Sequence, residues 1–306
     1  MTCLECLQNF DNEASLHKHL KAHSLSVAFY YQKYFKRVDL LTGELIKFKT
    51  KDFYFSNEFN SRANLKRWLE QSSPEAQKEY IIRYLTNRKE KKGLIYTPTQ
   101  AELKTLMVPG INYISQLFGD YYEFAKSLGF QNKFKNYKLE GDLRLHHNKK
   151  IIIDTREQNA LKINVNHEID TLKFGDYKLK HNDGGLIIER KALNDFYSTL
   201  GFQRERFERE IQRSDKEGYY MIVLIEAPLS DVYKFPLLPY IKNRMKLGAE
   251  VVLHNMRDLC QKYINLQFLF VKNRIEAQSI IETLFAAGEK CRTVDIQYLY
   301  DKGELI

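Results

Sequence analysis

The chain has 306 residues, 43% of them hydrophobic with 14 Gly and 6 Pro, which suggests about two domains with room for a sizeable core and excludes disordered and fibrous classes. Apolar runs such as 219–225 and 264–271 fall well short of the roughly 20 residues a membrane span needs, and the N-terminus lacks a signal-peptide core, so no membrane partner is expected. The net charge of +9 sits entirely in the first half, where residues 1–150 hold 25 Lys and Arg against 16 Asp and Glu while residues 151–306 hold 23 against 23. A basic half joined to a neutral one points to a polyanion, nucleic acid first, with a merely solvated basic surface as the plain alternative. Cys3, Cys6, Cys260 and Cys291 do not make a disulfide framework and fit a reducing compartment. An intracellular location follows, cytoplasmic or nucleoid-associated, or nuclear in a eukaryote.

In residues 1–25, Cys3, Cys6, His19 and His23 are spaced like the ligands of a two-Cys, two-His zinc finger, with Phe10 and Leu16 as its apolar pair and 12–23 as a helix presenting both histidines. So short a unit cannot fold on its own apolar surface, so Zn²⁺ would supply the folding free energy. By resemblance to DNA-reading fingers, Asn12, Ser15 and Lys18 would face base edges. A structural or protein-contact finger is the alternative. Residues 26–93 read as a hairpin followed by helix. Two aromatic-rich, strand-like runs between Phe29 and Phe55 flank Leu41-Thr42-Gly43-Glu44. Ser73-Pro74-Glu75 then opens a helix that runs to Arg88-Lys89-Glu90-Lys91-Lys92, either a solvated helix end or a phosphate contact.

Residues 94–130 predict three short helices, opened by Thr97-Pro98-Thr99, broken at Pro109-Gly110, and resumed after Phe118-Gly119 to end at Gly129-Phe130. This pattern resembles the DNA-binding repeat associated with homing endonucleases, in which case the second helix, with Asn112, Ser115 and Gln116, is the candidate for the groove. A generic three-helix core is the alternative. Residues 131–148 read as a linker. Beyond them the pattern turns α/β, with strands at 151–153, 174–179, 186–189, 220–225 and 267–271, a turn at Asn182-Asp183-Gly184-Gly185, and helices between and after them.

Acids fall at these strand ends. Asp154 closes the first strand, Asp176 follows Gly175, and Glu189 ends the third, with Lys191 two positions on so that both project from one face while Arg190 points away. Converging carboxylates offer hard oxygen ligands suited to Mg²⁺ or Mn²⁺. A lysine beside them is placed to hold an attacking water or to offset charge on a phosphate.

The full string, Asp154-Thr155-Arg156-Glu157, Gly175-Asp176, and Glu189-Arg190-Lys191 with Asp195 four positions later, resembles the nuclease domain of XPF-type endonucleases over roughly residues 149–287. That resemblance implies a restriction-endonuclease-like α/β fold for 149–306, a central mixed sheet flanked by helices, behind a small zinc finger and a mainly helical DNA-binding region. It further implies divalent-metal hydrolysis of DNA phosphodiesters. Asp176 and Glu189 would bind the metal with help from Asp154 and the Arg190 carbonyl, and Lys191 would position or activate the water. Glu157, Arg156 and Arg190 would shape the site, Asp195 would orient its neighbours, and Arg204 would meet the DNA backbone. For Arg156, Arg190 and Asp195, ion pairs that merely fix the strands are the alternative.

Family members usually continue into tandem helix-hairpin-helix repeats, whereas here only residues 285–306 follow Leu284, which puts branched-DNA preference and the usual dimerisation mode in doubt and leaves a homodimer through the nuclease domain open. The expectation is a metal-dependent DNA endonuclease targeted by its upstream segments, with homing-like cutting of a duplex site placed first. Cutting of flap or branched DNA in repair or recombination is the alternative, and a DNA-binding regulator with a silent nuclease fold is the third reading. No role is assigned to 235–255.

Overall fold

A computed structural model describes residues 1–182, 185–238 and 247–305. Asp183 and Gly184 of the expected turn, and residues 239–246 of the unassigned stretch, lie outside the described residues. The chain forms two compact units, one of residues 1–93 with 107–109 and one of 94–106 with 110–306.

The first unit is helical, with α1 (Glu13–His19), α2 (Val27–Tyr34), α3 (Lys51–Ser56), α4 (Arg62–Gln71) and α5 (Pro74–Lys92). Each begins where a short polar side chain, that of Asn12, Ser26, Thr50, Ser61 or Ser73, accepts from the amide three residues on. These caps correct the expected hairpin over 29–55. The helices capped by Ser26 and Thr50 occupy its two ends, and an isolated bridge between Val38 and Leu45 is the β pairing that remains there among the described residues. Between the two helices the buried Asp39 ties down a turn, accepting from the amides of Leu41 at 2.9 Å and Asn60 at 2.6 Å and from Asn64 Nδ2 at 2.8 Å. Helix α5 follows the expectation and stops at Gly93, whose left-handed φ of 61° closes its last turn. The finger segment has no core to itself: Cys3, Leu16 and Leu20 pack with Tyr30, Tyr31, Ile46, Phe53 and Tyr54.

The second unit opens with three short helices, α6 (Gln100–Leu103), α7 (Ile111–Phe118) and α8 (Tyr121–Ser127), where the prolines and glycines predicted them. A capping box between Thr99 and Glu102 starts α6. Behind them stands a mixed six-stranded sheet of β1 (Ile151–Asp154), β2 (His167–Asp170), β3 (Tyr177–Leu179), β4 (Leu186–Lys191), β5 (Tyr220–Ile225) and β6 (Leu266–Phe270), in the order β2-β1-β3-β4-β5-β6. Only the pairs β1·β3 and β3·β4 are antiparallel. The buried central strands β4 and β5 carry near-continuous apolar runs, as parallel strands covered on both faces do. Edge strand β2, a polar His-Glu-Ile-Asp run that is mostly exposed, has no apolar period to announce it.

Helices α9 (Leu193–Leu200), α10 (Arg204–Lys216), α11 (Leu229–Lys234) and α12 (Ala249–Lys262) flank the sheet, followed by α13 (Arg274–Ala287) and α14 (Ile296–Asp301). Phe196, Phe207, Val223 and Leu253 share one core with their neighbours. The expected linker is in part built into this unit. Phe134 is buried, and the buried Lys133 donates from Nζ to the carbonyls of Cys260, Tyr263 and Leu266 at 3.0, 3.1 and 2.7 Å, closing the C-terminal end of α12.

Candidate active site and metal centre

Gly175 sets the site. Its φ of +69° is left-handed, and a Cβ there would stand 3.1 Å from the Ile188 carbonyl and 3.3 Å from Ile187 Cβ, so the chain passes β4 closely enough to place Asp176 against it. Asp176 then donates its amide to Ile188 O at 2.8 Å and accepts from the Arg190 amide through Oδ2 at 2.7 Å. Burial, followed by the neighbouring Glu189 carboxylate, holds the Asp176 carboxyl well above the usual range. Two buried acids side by side with too little positive charge are the electrostatic condition that a hard divalent cation relieves.

Glu189 and Lys191 share a face of β4 as their spacing predicts, with Lys191 Nζ 2.6 Å from Glu189 Oε1. Burial works against the Lys191 charge, but Glu189, Asp176 and Glu210 together raise the ammonium above its ordinary value. Sequence reasoning missed Glu210 of α10. Burial first, and Glu189 second, raise its carboxyl. The signal was there: Glu210 lies three residues beyond Phe207 and one before Ile211, a charge beside the buried stripe of an amphipathic helix.

Asp154 donates its amide to the Asp176 carbonyl at 2.9 Å, while its carboxylate is engaged by Arg156. Its Oδ1 accepts from the Arg156 amide and Nε, both at 2.7 Å, and its Oδ2 from Arg156 Nη2 at 2.9 Å and the Leu172 amide at 2.7 Å. Glu157 is likewise taken, both oxygens facing Arg190 at 2.9 and 3.1 Å. Arg190 also meets Glu226 at 3.0 Å, and Glu226, which the resemblance covers without a role, in turn meets Arg274 at 3.0 Å, a residue that sequence reasoning did not single out. Asp195 lies exposed in the first turn of α9 beside Asn194. Arg204 pairs with Asp258 and Glu208.

The four finger residues do converge. Their ligand atoms all lie within 4.8 Å of one another, with 2.9 Å between His19 Nε2 and His23 Nε2 and 3.2 Å from His19 Nε2 to Cys6 Sγ. One ion with bonds of about 2.0–2.3 Å spans such a set, and two soft thiols with two imidazoles suit Zn²⁺. Among the described residues this is the one cluster of three or more His, Cys, Asp or Glu groups gathered closely enough to hold an ion as it stands. Of the residues expected to read DNA, Asn12 spends its side-chain oxygen capping α1 at 2.9 Å from the Ser15 amide, and Lys18 is exposed. Asn112 accepts from the Tyr298 hydroxyl at 2.9 Å, while Ser115 and Gln116 follow on α7, half-buried and exposed.

Solved structures that resemble the chain include XPF from Aeropyrum pernix, at 20% identity and a TM-score of 0.34 over 44% of this chain and 59% of that one, and XPF from Aeropyrum pernix in complex with DNA, at 20% identity and 0.33 over 44% and 62%. The matched part is less than two thirds of each of those chains. No curated protein matches. Residues 153–284 match the ERCC4 domain. The mixed six-stranded sheet with its flanking helices has the ERCC4 nuclease fold, preceded by a helical N-terminal region.

Proposed function

We propose that this chain is a divalent-metal-dependent endonuclease that hydrolyses phosphodiester bonds in DNA. The observation that carries the reading is the buried Asp176 and Glu189 pair beside Lys191, within the segment that matches the ERCC4 domain. Asp176 and Glu189 would hold Mg²⁺ or Mn²⁺, which when bound supplies Lewis-acid stabilisation of charge on phosphoryl oxygens. The Arg190 amide fixes Asp176, and Lys191 presents an ammonium on the same strand face as Glu189, where charge develops on the phosphate. Asp154 and Glu157 act as positioning residues through Arg156 and Arg190. Cys3, Cys6, His19 and His23 hold structural Zn²⁺.

The ERCC4 match favours cutting of flap or branched DNA over the fixed-distance duplex cutting that the sequence placed first. Helices α6 to α8 support that preference, since they belong to the same compact unit as the nuclease sheet: Gln100 Nε2 and Lys104 Nζ both reach Asp301 at 2.8 Å, and Arg257 reaches Thr105 at 2.9 Å. The test is incubation with Mg²⁺ and a panel of plasmid, linear duplex, flap and four-way-junction DNAs. Cutting that depends on the flap or junction is expected, discrete cutting of one duplex sequence would restore the homing reading, and no cutting of any substrate by a folded, zinc-loaded chain would overturn the enzyme reading.

A further inference from the structure

The first unit contains a cavity of about 90 Å³, room for roughly three waters or one small tetrahedral anion. One wall is a stripe of α5 in which Tyr80, Tyr84, Arg88 and Lys91 recur at helical spacing, and Arg37 and Phe55 stand in the facing wall. Five cations line it against the single carboxylate of Glu58. Of these, Arg83 is engaged by Glu58 at 2.7 Å and Glu79 at 3.0 Å, and Lys92 by Asp52 at 3.2 Å. Among the described residues no salt bridge within 4 Å ties Arg37, Arg88 or Lys91 to a carboxylate, although Arg88 acts on Asp52 at longer range. The Arg37 guanidinium donates from Nη2 to the Asn57 carbonyl at 3.3 Å, and its buried Nε has no hydrogen-bond partner. An excess of positive charge in a concave, aromatic-walled site concentrates potential where an anion would sit.

We propose that this cavity binds a phosphate monoester. A terminal phosphate, dianionic and flanked by a sugar on one side only, projects into such a concavity further and with more charge than an internal phosphodiester, which carries one charge and a sugar on each side. Arginine provides a planar fork for phosphate oxygens and lysine a point charge, the pairing that recognises a dianion. The shared chemistry has two sources, the phosphorylated end of a DNA strand or a free mononucleotide. Assignment to a strand end rests on the DNA reading above, whereas the phosphate site does not.

Binding is measured by fluorescence anisotropy with the full, zinc-loaded chain in buffer without Mg²⁺, so that cleavage plays no part and failure of the nuclease reading leaves the result standing. The probes are one oligonucleotide carrying a 5′-phosphate, the same oligonucleotide with a 5′-hydroxyl, and adenosine monophosphate as competitor. The phosphorylated strand is expected to bind about tenfold tighter than the hydroxyl strand, the worth of one charge-assisted hydrogen bond. The double substitution Arg88→Gln and Lys91→Gln, both at the C-terminal end of α5 and outside the core, should bring that ratio to one. Competition by adenosine monophosphate supports the site, at equal molar strength assigning it to mononucleotides and at weaker strength to strand ends. Equal affinity for the two strands with no competition overturns the proposal, as does a phosphate preference that survives the double substitution.

Discussion

Arg190 grips Glu157 through two parallel hydrogen bonds, Nη2 to Oε1 at 2.9 Å and Nε to Oε2 at 3.1 Å, while its own amide holds Asp176 at 2.7 Å. The middle residue of Glu189-Arg190-Lys191 therefore joins the segment after β1 to the acidic pair. It behaves as a clamp whose fork geometry lysine cannot reproduce.

Removing that clamp leaves the buried Glu157 without its cation and Glu226 with Arg274 alone. Arg190→Ala should destabilise the folded chain by about 3–5 kcal/mol, as loss of one partner of a buried ion pair does, and Arg190→Lys should cost less because the charge stays. Urea unfolding followed by circular dichroism reads both. An Arg190→Ala midpoint equal to that of wild type would show that the clamp carries no stability.

Asp176→Asn and Glu189→Gln keep size and remove charge. Each should lower single-turnover cleavage by about 10²-fold or more, comparable to loss of a group that stabilises transition-state charge, with DNA affinity nearly unchanged. Since like-charge burial opposes ionisation of Asp176, Asp176→Asn should melt no lower than wild type without Mg²⁺. A lower melting temperature together with wild-type cleavage would remove the carboxylate pair from the mechanism.

Metal analysis should return zinc in protein purified without chelator. Because Cys3, Leu16 and Leu20 share their core with Tyr30, Tyr31 and Tyr54, stripping zinc should loosen α2 and α3 as well as the finger, while the nuclease sheet keeps its protection. Hydrogen exchange by mass spectrometry distinguishes this from unfolding confined to residues 1–25, which is the outcome that a free-standing finger demands.

Burial pushes the Asp295 carboxyl up to about 6 from an ordinary 3.8, against the bonds it accepts from the amides of Gln100 at 2.6 Å and Tyr298 at 3.0 Å. Between those two values the folded chain binds more protons than the unfolded one. This residue's contribution is therefore fully present below the window and declines as pH rises through it, by about 3 kcal/mol at most. Asp295→Asn abolishes the titration. The difference in unfolding free energy between wild type and Asp295→Asn should shift against wild type from about pH 4 to about pH 7, and a flat difference would place the carboxyl at its ordinary value.

The nuclease half was legible where chemistry and local structure share one short stretch. Glu189 and Lys191 fall on one strand face by period alone, and Gly175 before Asp176 marks a close backbone approach in a left-handed conformation that any side chain would strain. The finger ligands were equally plain, because metal spacing is local. The hairpin failed because aromatic crowding between Phe29 and Phe55 imitates strands, while the deciding groups, the hydroxyls of Ser26 and Thr50, are single atoms at helix starts. Strand β2 was missed because an exposed edge needs no apolar alternation. Asp154 was expected with the other carboxylates, and its capture by Arg156, two residues on, is a competition between partners that spacing does not rank. Glu210 comes to the site by tertiary packing of α10.

Lys133, with its ammonium held by three carbonyls at the end of α12, bears on where the polypeptide can be divided. Residues 94–136 are not a detachable prefix to the nuclease sheet, since Lys133 and Phe134 are buried in it and Asn136 pairs with Val294. A protease that nicks the exposed stretch 138–148 should yield two fragments that travel together through gel filtration, and a fragment beginning at 149 should expose the carbonyls and apolar surface those residues cover. Any dissection of DNA binding from catalysis in this unit is then better made by substitution than by scission.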